Sequence, residues 1–324
     1  MVDSMRRIWA RPEAPLGISV VLIVALFIFG SVRISGLATA YGINSMLILA
    51  SLLGVAAIGQ TLAVLLGGID LSIPFVIGFA DVVAAELTQR GWPFGLTVLL
   101  VLTATLLIGA LNGLISAGLG VHPLIVTLGV GYLIQGGVQI WTGGTPSGSA
   151  PGWLGTFVSP GATTGPIPLA PIVLLWLGVG ISIILVLRYS TFGRQLYAVG
   201  SNPVAARLAL VRPTAIWASA FALSGACAGL AGLLLLGFTG SAFAGVGDPY
   251  LFLSVGAVVI GGTSLVGGRG GYAGTMAGAI ILTELTTILV GFNFSGAQEQ
   301  VFLGLIIVLV VLVYGREAHV RMRI

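Results

Sequence analysis

The sequence has very few charged residues and no lysine. Only 7% of its 324 residues are charged, and all 13 basic side chains are arginines. A soluble globular domain needs about a quarter of its residues charged, so that class is excluded. A Walker A loop needs a lysine to reach the phosphates of ATP. If ATP drives this protein, the ATPase is another chain.

Groups that carry chemistry are equally scarce. Cys227 is the single cysteine and lies among small residues, which predicts packing rather than redox chemistry. His122 and His319 are too far apart in sequence to indicate a metal pair. We find no nucleophile with a matching base, and we predict no enzyme activity, no metal and no cofactor in this chain. The arginines lie near the ends of apolar runs, so the net charge of +4 does not indicate nucleic acid binding.

Long apolar runs fill the rest of the chain. The sequence is 57% hydrophobic with a mean hydropathy of +1.13, and a membrane span needs about 20 apolar residues. We predict an all-α, polytopic membrane protein that forms a single transmembrane domain over residues 1–324. About ten transmembrane helices are expected, near residues 15–33, 44–66, 72–89, 93–118, 123–141, 169–188, 213–237, 250–266, 272–291 and 297–314.

Two of these runs, 72–89 and 250–266, are weak and interrupted by glycine, so either could be a half-helix or a re-entrant segment. Ten spans are preferred over nine, and eight spans are the alternative. The segments LAVLLGGIDLS (62–72) and AVVIGGTSLVGG (257–268) also resemble each other. They stand at corresponding places in the two halves of the chain. Broken spans at corresponding places in two pseudo-repeated halves indicate a transport pathway.

The arginines predict the topology. With ten alternating spans and a cytoplasmic N-terminus, only Arg33 and Arg90 of the 13 arginines fall outside, as the positive-inside rule requires. Both termini are then cytoplasmic, 142–168 is an external loop with little regular structure, and 189–212 is cytoplasmic. The first apolar run exceeds the roughly 7–15 residues of a signal peptide core, so we expect an uncleaved first helix.

The cytoplasmic segment YSTFGRQLYAVGSNPVAARLALVR (189–212) is polar and rich in arginine. Ser201 or Asn202 can cap a helix, and Pro203 suits a first helical turn. A helix of two to three turns is therefore expected between two membrane helices. We interpret it as a docking element for a cytoplasmic partner, with an interfacial loop anchored by arginine as the alternative.

This segment resembles the coupling region of ABC importer permeases of the ribose/xylose type, in the branched-chain permease superfamily. There, a stretch similar to GR-x-x-YA-x-G-x-N-x-x-AA contacts the ATPase. Other blocks agree in order from about residue 40 onward: GGIDLS at 67–72, NG at 112–113 with PLIVTLG at 123–129, TGGTP at 142–146, and GGTSL with GGRG at 261–270. The coupling residues expected here are Gly193, Arg194, Tyr197, Gly200, Asn202, Pro203, Ala205, Ala206, Arg207 and Leu208.

Four places depart from the family pattern. Pro74 stands where glycine is usual, Gln135 stands where arginine is common, and Asp248–Phe252 lacks the usual Glu-Leu-Asp. Ala209, Leu210 and Val211 replace a usual Ser-Gly-Ile. These differences bear on the substrate and the subfamily rather than on the fold.

The resemblance implies a permease subunit that moves a sugar or sugar-like solute across the bacterial inner membrane. It implies ATPase subunits that hold ATP and Mg²⁺, a periplasmic solute-binding protein, and a second permease copy, identical or not. Polar residues inside a membrane are functional candidates, although packing between helices is the alternative for each, and a helix-capping role for Asp70. The candidate pathway residues are Gln60, Asp70, Asn112, Thr127, Gln135 and Glu284.

Three other functions remain open from the residues alone. An ion-coupled secondary transporter would use Asp81 and Glu284 as a relay and would need no ATPase. A permease of the same superfamily for branched-chain amino acids or nucleosides is the second alternative. A structural or channel-forming membrane protein is the third, and the specialised segment 189–212 argues against it.

Overall fold

The computed structural model describes residues 14–314, and every regular element in that range is a helix. The all-α prediction is confirmed for this part of the chain. The predictions for His319 and for the arginines nearer the two termini lie outside the described residues. The helices are α1 (Ala14–Arg33), α2 (Ala40–Leu65), α3 (Ile73–Gln89), α4 (Phe94–Leu119), α5 (Pro123–Thr142), α6 (Gly152–Phe157), α7 (Pro171–Tyr189), α8 (Thr191–Ser201), α9 (Pro203–Leu208), α10 (Pro213–Thr239), α11 (Tyr250–Ile260), α12 (Tyr272–Gly291) and α13 (Gly296–Tyr314).

Within residues 14–314, six helices are long and apolar enough to cross a membrane: α2, α4, α5, α7, α10 and α12. The prediction of about ten spans is not confirmed. Among the ten predicted spans, the two weak runs form the shortest helices: α3 has 17 residues and α11 has 11. At about 1.5 Å per residue, α11 is too short for a hydrocarbon layer roughly 30 Å thick.

The centre of the bundle is α2, which is buried along nearly its whole length, and α10, which packs along α4, α2 and α3. Glycines allow α4 and α10 to approach closely. A Cβ atom added to Gly109 would collide with the carbonyl oxygen of Phe221, and one added to Gly225 would collide with that of Thr105. A Cβ atom added to Gly113 would likewise collide with the carbonyl oxygen of Trp217, so small residues allow the two helices to pack closely.

The helix ends gather at two opposite ends of the bundle. We call the one that holds α8 and α9, together with the end of α2 and the start of α12, the α8 end. The segment between α5 and α7 covers the other end, where Ala150 N donates to Gly240 O at 3.1 Å and Asn44 Nδ2 donates to Pro168 O at 3.2 Å. This segment contains the six-residue helix α6, although little regular structure was expected there.

Candidate functional site at the α8 end

The segment between α7 and α10 folds into two short helices. Asn202 caps α9 as predicted, since its Oδ1 accepts hydrogen bonds from the amides of Val204 and Ala205 at 3.0 Å. The expected single helix is corrected, because α8 already covers Thr191–Ser201 and α9 has only six residues. The break has a steric cause: Asn202 precedes Pro203, which disfavours the helical conformation, and Asn202 is extended, with φ −157° and ψ 101°.

Helix α8 is fixed to the bundle through Gly200 and Tyr197. A Cβ atom on Gly200 would collide with the carbonyl oxygen of Leu65 at the end of α2. The same oxygen accepts a hydrogen bond from Gly268 N at 2.9 Å. The Tyr197 hydroxyl donates to Gly270 O at 2.8 Å, and burial raises the pKa of this phenol. We call this meeting of α8, the end of α2 and the loop 261–271 the junction.

The two glycine-rich loops of the sequence repeat begin with the same helix-ending turn. The amide of Gly68 donates to the carbonyl five residues earlier at 3.0 Å, and the amide of Thr263 does the same at 3.1 Å. Gly67 and Gly262, the preceding residues, both have φ +80°, as a Schellman turn requires. Aligning the two Gly-Gly pairs by sequence matches Gly67 with Gly261. The turns instead match Gly67 with Gly262, a shift of one residue.

Helix α9 turns one face to the bundle and the other to the free surface. Ala206 is buried and packs with the apolar residues at the ends of α2 and α10. Val204, Leu208 and Leu210 are exposed, and the last two keep 83% and 92% of their surface accessible. Leu210 also has φ 61°, a left-handed conformation that costs a residue with a Cβ atom about 1–2 kcal/mol. No interior contact accounts for leucine at this position.

The structure divides the predicted coupling residues into two sets. Gly193 is buried, and a Cβ atom there would collide with the backbone of Leu187, while Arg194 Nη1 donates to Tyr189 O at 3.0 Å. These two residues therefore hold the segment to the bundle, as do Tyr197, Gly200 and Ala206. The residues on the free surface are Pro203, Ala205, Arg207 and Leu208, with the cap Asn202 beside them.

Three of the predicted pathway residues share one buried hydrogen-bond network. Asp70 Oδ1 accepts from Ser72 N at 3.0 Å, and its Oδ2 accepts from Ser224 Oγ at 2.6 Å. Asn112 Nδ2 donates to Ser72 Oγ, and Thr127 Oγ1 accepts from the amide that follows Asp70, both at 3.0 Å. The network joins the start of α3 to α4, α5 and α10, and Asp70 follows Leu65, at the end of α2, by five residues. This geometry favours an organising role for Asp70.

The other three pathway candidates are separate from this network. Gln60 is fully buried in α2, and neither of its amide atoms has a hydrogen-bond partner among the described residues. Gln135 lines a narrow cavity between α3 and α5 that also includes Asp248. Glu284 is buried on α12 with its Oε2 unpartnered. Asp81 Oδ1 accepts from Phe243 N at 2.8 Å, and no hydrogen bond joins it to Glu284 within residues 14–314.

The sequence is similar to those of known transport proteins. Residues 42–311 match the family described as branched-chain amino acid transport system / permease component. The chain is 34% identical to an autoinducer 2 import system permease protein of Klebsiella pneumoniae, over 82% of this chain and 80% of that protein. It is 31% identical to a fructose import permease protein of Rhizobium meliloti (90% and 82%) and 32% identical to a ribose import permease protein of Haemophilus influenzae (80% and 80%). No solved structure matches the chain.

Proposed function

Since the chain belongs to the permease component family of branched-chain amino acid transport systems, we propose that it is the membrane-spanning subunit of an ABC importer for a sugar or sugar-like solute. Two of its relatives are named for the import of fructose and ribose, which supports this substrate class. The family description names branched-chain amino acids, and a substrate of that class is the second candidate.

The exposed apolar surface of α9 carries the proposal. Val204 and Leu208 on α9, with Leu210 two residues beyond its end, are exposed apolar side chains that a second protein can bury. We assign this surface to the ATPase subunit, which supplies the ATP and Mg²⁺ that this chain has no lysine to hold. Movement of the ATPase then displaces α9 together with α8. Gly200 and Tyr197 pass the displacement of α8 to the end of α2 and to the loop before α12.

The junction passes this movement into the bundle. There α8 meets the end of α2 and the loop before α12, and the Asp70 network begins five residues after Leu65 along the chain. A shift there changes how α3, α4, α5 and α10 meet, which opens or closes a path on one side. The solute arrives at the opposite end from an external binding protein, and a second permease copy completes the assembly.

The arginines support an orientation with the α8 end in the cytoplasm. Arg188, Arg194, Arg207, Arg212 and Arg269 all lie at this end in the described part of the chain, whereas Arg33 and Arg90 lie at the other. Basic residues concentrate on the cytoplasmic side of membrane proteins. On this basis the proposal has the multi-pass chain in the bacterial inner membrane, with its α9 surface toward a cytoplasmic ATPase subunit.

Co-purification of the chain with the ATPase subunit of its own importer tests the proposal. Leu208→Asp introduces a charge on the exposed face of α9, and Leu119→Asp is the matched control, an exposed leucine (74%) at the end of α4. We expect the native chain and the control to retain the ATPase and Leu208→Asp to lose it. Ala206 is unsuitable for this test because it is buried. A native chain that retains no ATPase contradicts the proposed function.

A further inference from the structure

A cavity of about 550 Å³ lies beside the junction, between the end of α7, helix α8 and the first turn of α12. Arg188 and Arg194 line it from two different helices, and Tyr197 lines it between them and α12. Ile184 and Leu187 form its apolar part. Among its lining residues in the described part of the chain, none is acidic. The cavity therefore presents two positive charges above an apolar floor.

Both arginines have donors to spare. Arg194 uses one donor on Tyr189 O at 3.0 Å, and a guanidinium has five. The Arg188 guanidinium carbon lies 5.4 Å from the centre of the Tyr189 ring, a contact that consumes no hydrogen-bond donor. The one ion pair within residues 14–314 is that of Arg90 with Glu86, at the opposite end. No carboxylate of residues 14–314 lines the cavity.

The start of α12 adds to the positive field. Gly271, Tyr272 and Ala273 line the cavity. The Gly271 amide donates to Thr263 Oγ1 at 3.3 Å, but Gly271 has no side chain to cap the amides that follow it. The first amides of a helix lack internal partners and carry a partial positive charge. Two guanidinium groups beside uncapped amides form a donor set suited to a phosphate group.

We propose that this cavity binds a phosphate group, supplied by an anionic membrane lipid. The cavity lies where two membrane helices end, which is the level of lipid headgroups. The adjacent α7 surface is apolar and exposed at Ile181, Leu185 and Val186, so acyl chains can continue from the headgroup along it. Basic pockets between membrane helices on the cytoplasmic side bind such headgroups.

A bound phosphate regulates the junction, because it links α7, α8 and α12 in the region where Tyr197 already bonds to Gly270. An occupied cavity holds α8 more firmly against the start of α12. The lipid composition of the membrane then sets how rigidly movement of α9 reaches the bundle. This site does not require the ATPase, so it is testable on the full chain alone.

The test uses the full chain in nanodiscs of phosphatidylcholine, with or without phosphatidylglycerol. Native mass spectrometry counts retained anionic lipid, and thermal unfolding measures stabilisation. We expect Arg188→Gln with Arg194→Gln to weaken phosphatidylglycerol retention about tenfold or more. Arg212→Gln is the matched control, an exposed arginine at the same end but outside the cavity, and it should retain the lipid. Arg188→Lys with Arg194→Lys keeps the charge and should preserve most of the lipid retention.

A third sample in phosphatidylcholine with added inorganic phosphate separates the two sources of the group. Stabilisation there, lost in the double glutamine variant, supports the site and assigns it to free phosphate. Equal loss of lipid in the Arg212 control and the double variant overturns the proposal, because general surface charge then explains the binding. If the double variant does not fold, each single variant carries the same comparison.

Discussion

Gly200 lies directly against the carbonyl oxygen of Leu65, so closely that a side chain at position 200 has no room. The two residues belong to helices that the sequence separates widely, α8 and α2. The same oxygen accepts the Gly268 amide at 2.9 Å, so one backbone atom joins three segments. Through this contact, a displacement of α8 acts directly on the end of α2.

Substitution of Gly200 by alanine should therefore break the coupling. The added Cβ atom forces α8 away from α2, and overpacking of this kind costs about 2 kcal/mol. We expect Gly200→Ala to lower solute-dependent ATP hydrolysis and transport about tenfold, while the ATPase still binds to α9. Gly178→Ala is the control, since a Cβ atom there meets nothing within 4 Å. Normal transport by Gly200→Ala would contradict this role of the junction.

Leu210→Gly should stabilise the permease and yet weaken its hold on the ATPase. Glycine adopts a φ of 61° without strain. We therefore expect the free energy of unfolding to rise by about 1 kcal/mol and the melting temperature by roughly 2 °C. Loss of the exposed side chain removes apolar contact with the partner. Thermal unfolding and ATPase affinity measure the two effects separately.

Asn293 provides the control for this prediction, because it also has φ 61° but lies beyond α12 at the opposite end. Asn293→Gly should leave ATPase affinity unchanged. If Leu210→Gly keeps full ATPase affinity, Leu210 makes no contact with the partner. Leu210→Asn separates side-chain loss from added backbone freedom, since asparagine tolerates the left-handed conformation and should also bind the ATPase less tightly.

Asp70→Ala should lower the stability of the folded permease. The carboxylate accepts hydrogen bonds from Ser72 and Ser224, and each buried donor left without a partner costs about 1–3 kcal/mol. We expect the variant to unfold at much lower temperature, and Asp70→Asn to keep most of the stability because one oxygen remains. Fluorescence-detected size exclusion of membrane extracts measures both. A stable Asp70→Ala that no longer transports would instead place Asp70 in the pathway.

Glu284→Gln should leave transport driven by ATP. The ion-coupled alternative requires a carboxylate relay, but Asp81 holds the Phe243 amide and shares no hydrogen bond with Glu284 in the described range. We expect uptake by Glu284→Gln to persist, and uptake by the native chain to survive dissipation of the proton gradient. Loss of uptake under either condition would favour the ion-coupled transporter over the ABC importer.

Local chemistry allowed the sequence to predict part of this site. Asn202 and Pro203 carry their capping and first-turn preferences wherever they occur, so the start of α9 was predictable. The two Gly-Gly pairs likewise indicated both loops, because glycine favours helix ends wherever it occurs. The one-residue shift between Gly67 and Gly262 was not predictable, because only the hydrogen bonds of the two turns reveal which glycine has the positive φ.

Contacts between distant segments account for most of what the sequence missed. Nothing near Asp81 indicates that its partner is the Phe243 amide, 162 positions away. The grouping of Arg188, Arg194 and the start of α12 around one cavity depends on how α7 and α12 pack. In the sequence Leu210 is only a departure from the family pattern, and its left-handed backbone and 92% exposure are visible only in the structure.

Uptake by proteoliposomes tests the central claim most directly. They would contain the native chain and its ATPase, with the binding protein and labelled ribose or fructose outside and ATP sealed inside. We predict accumulation that requires internal ATP and the binding protein, that Leu208→Asp abolishes, and that Leu119→Asp leaves intact. Accumulation that proceeds without ATP and is unaffected by Leu208→Asp would contradict the account.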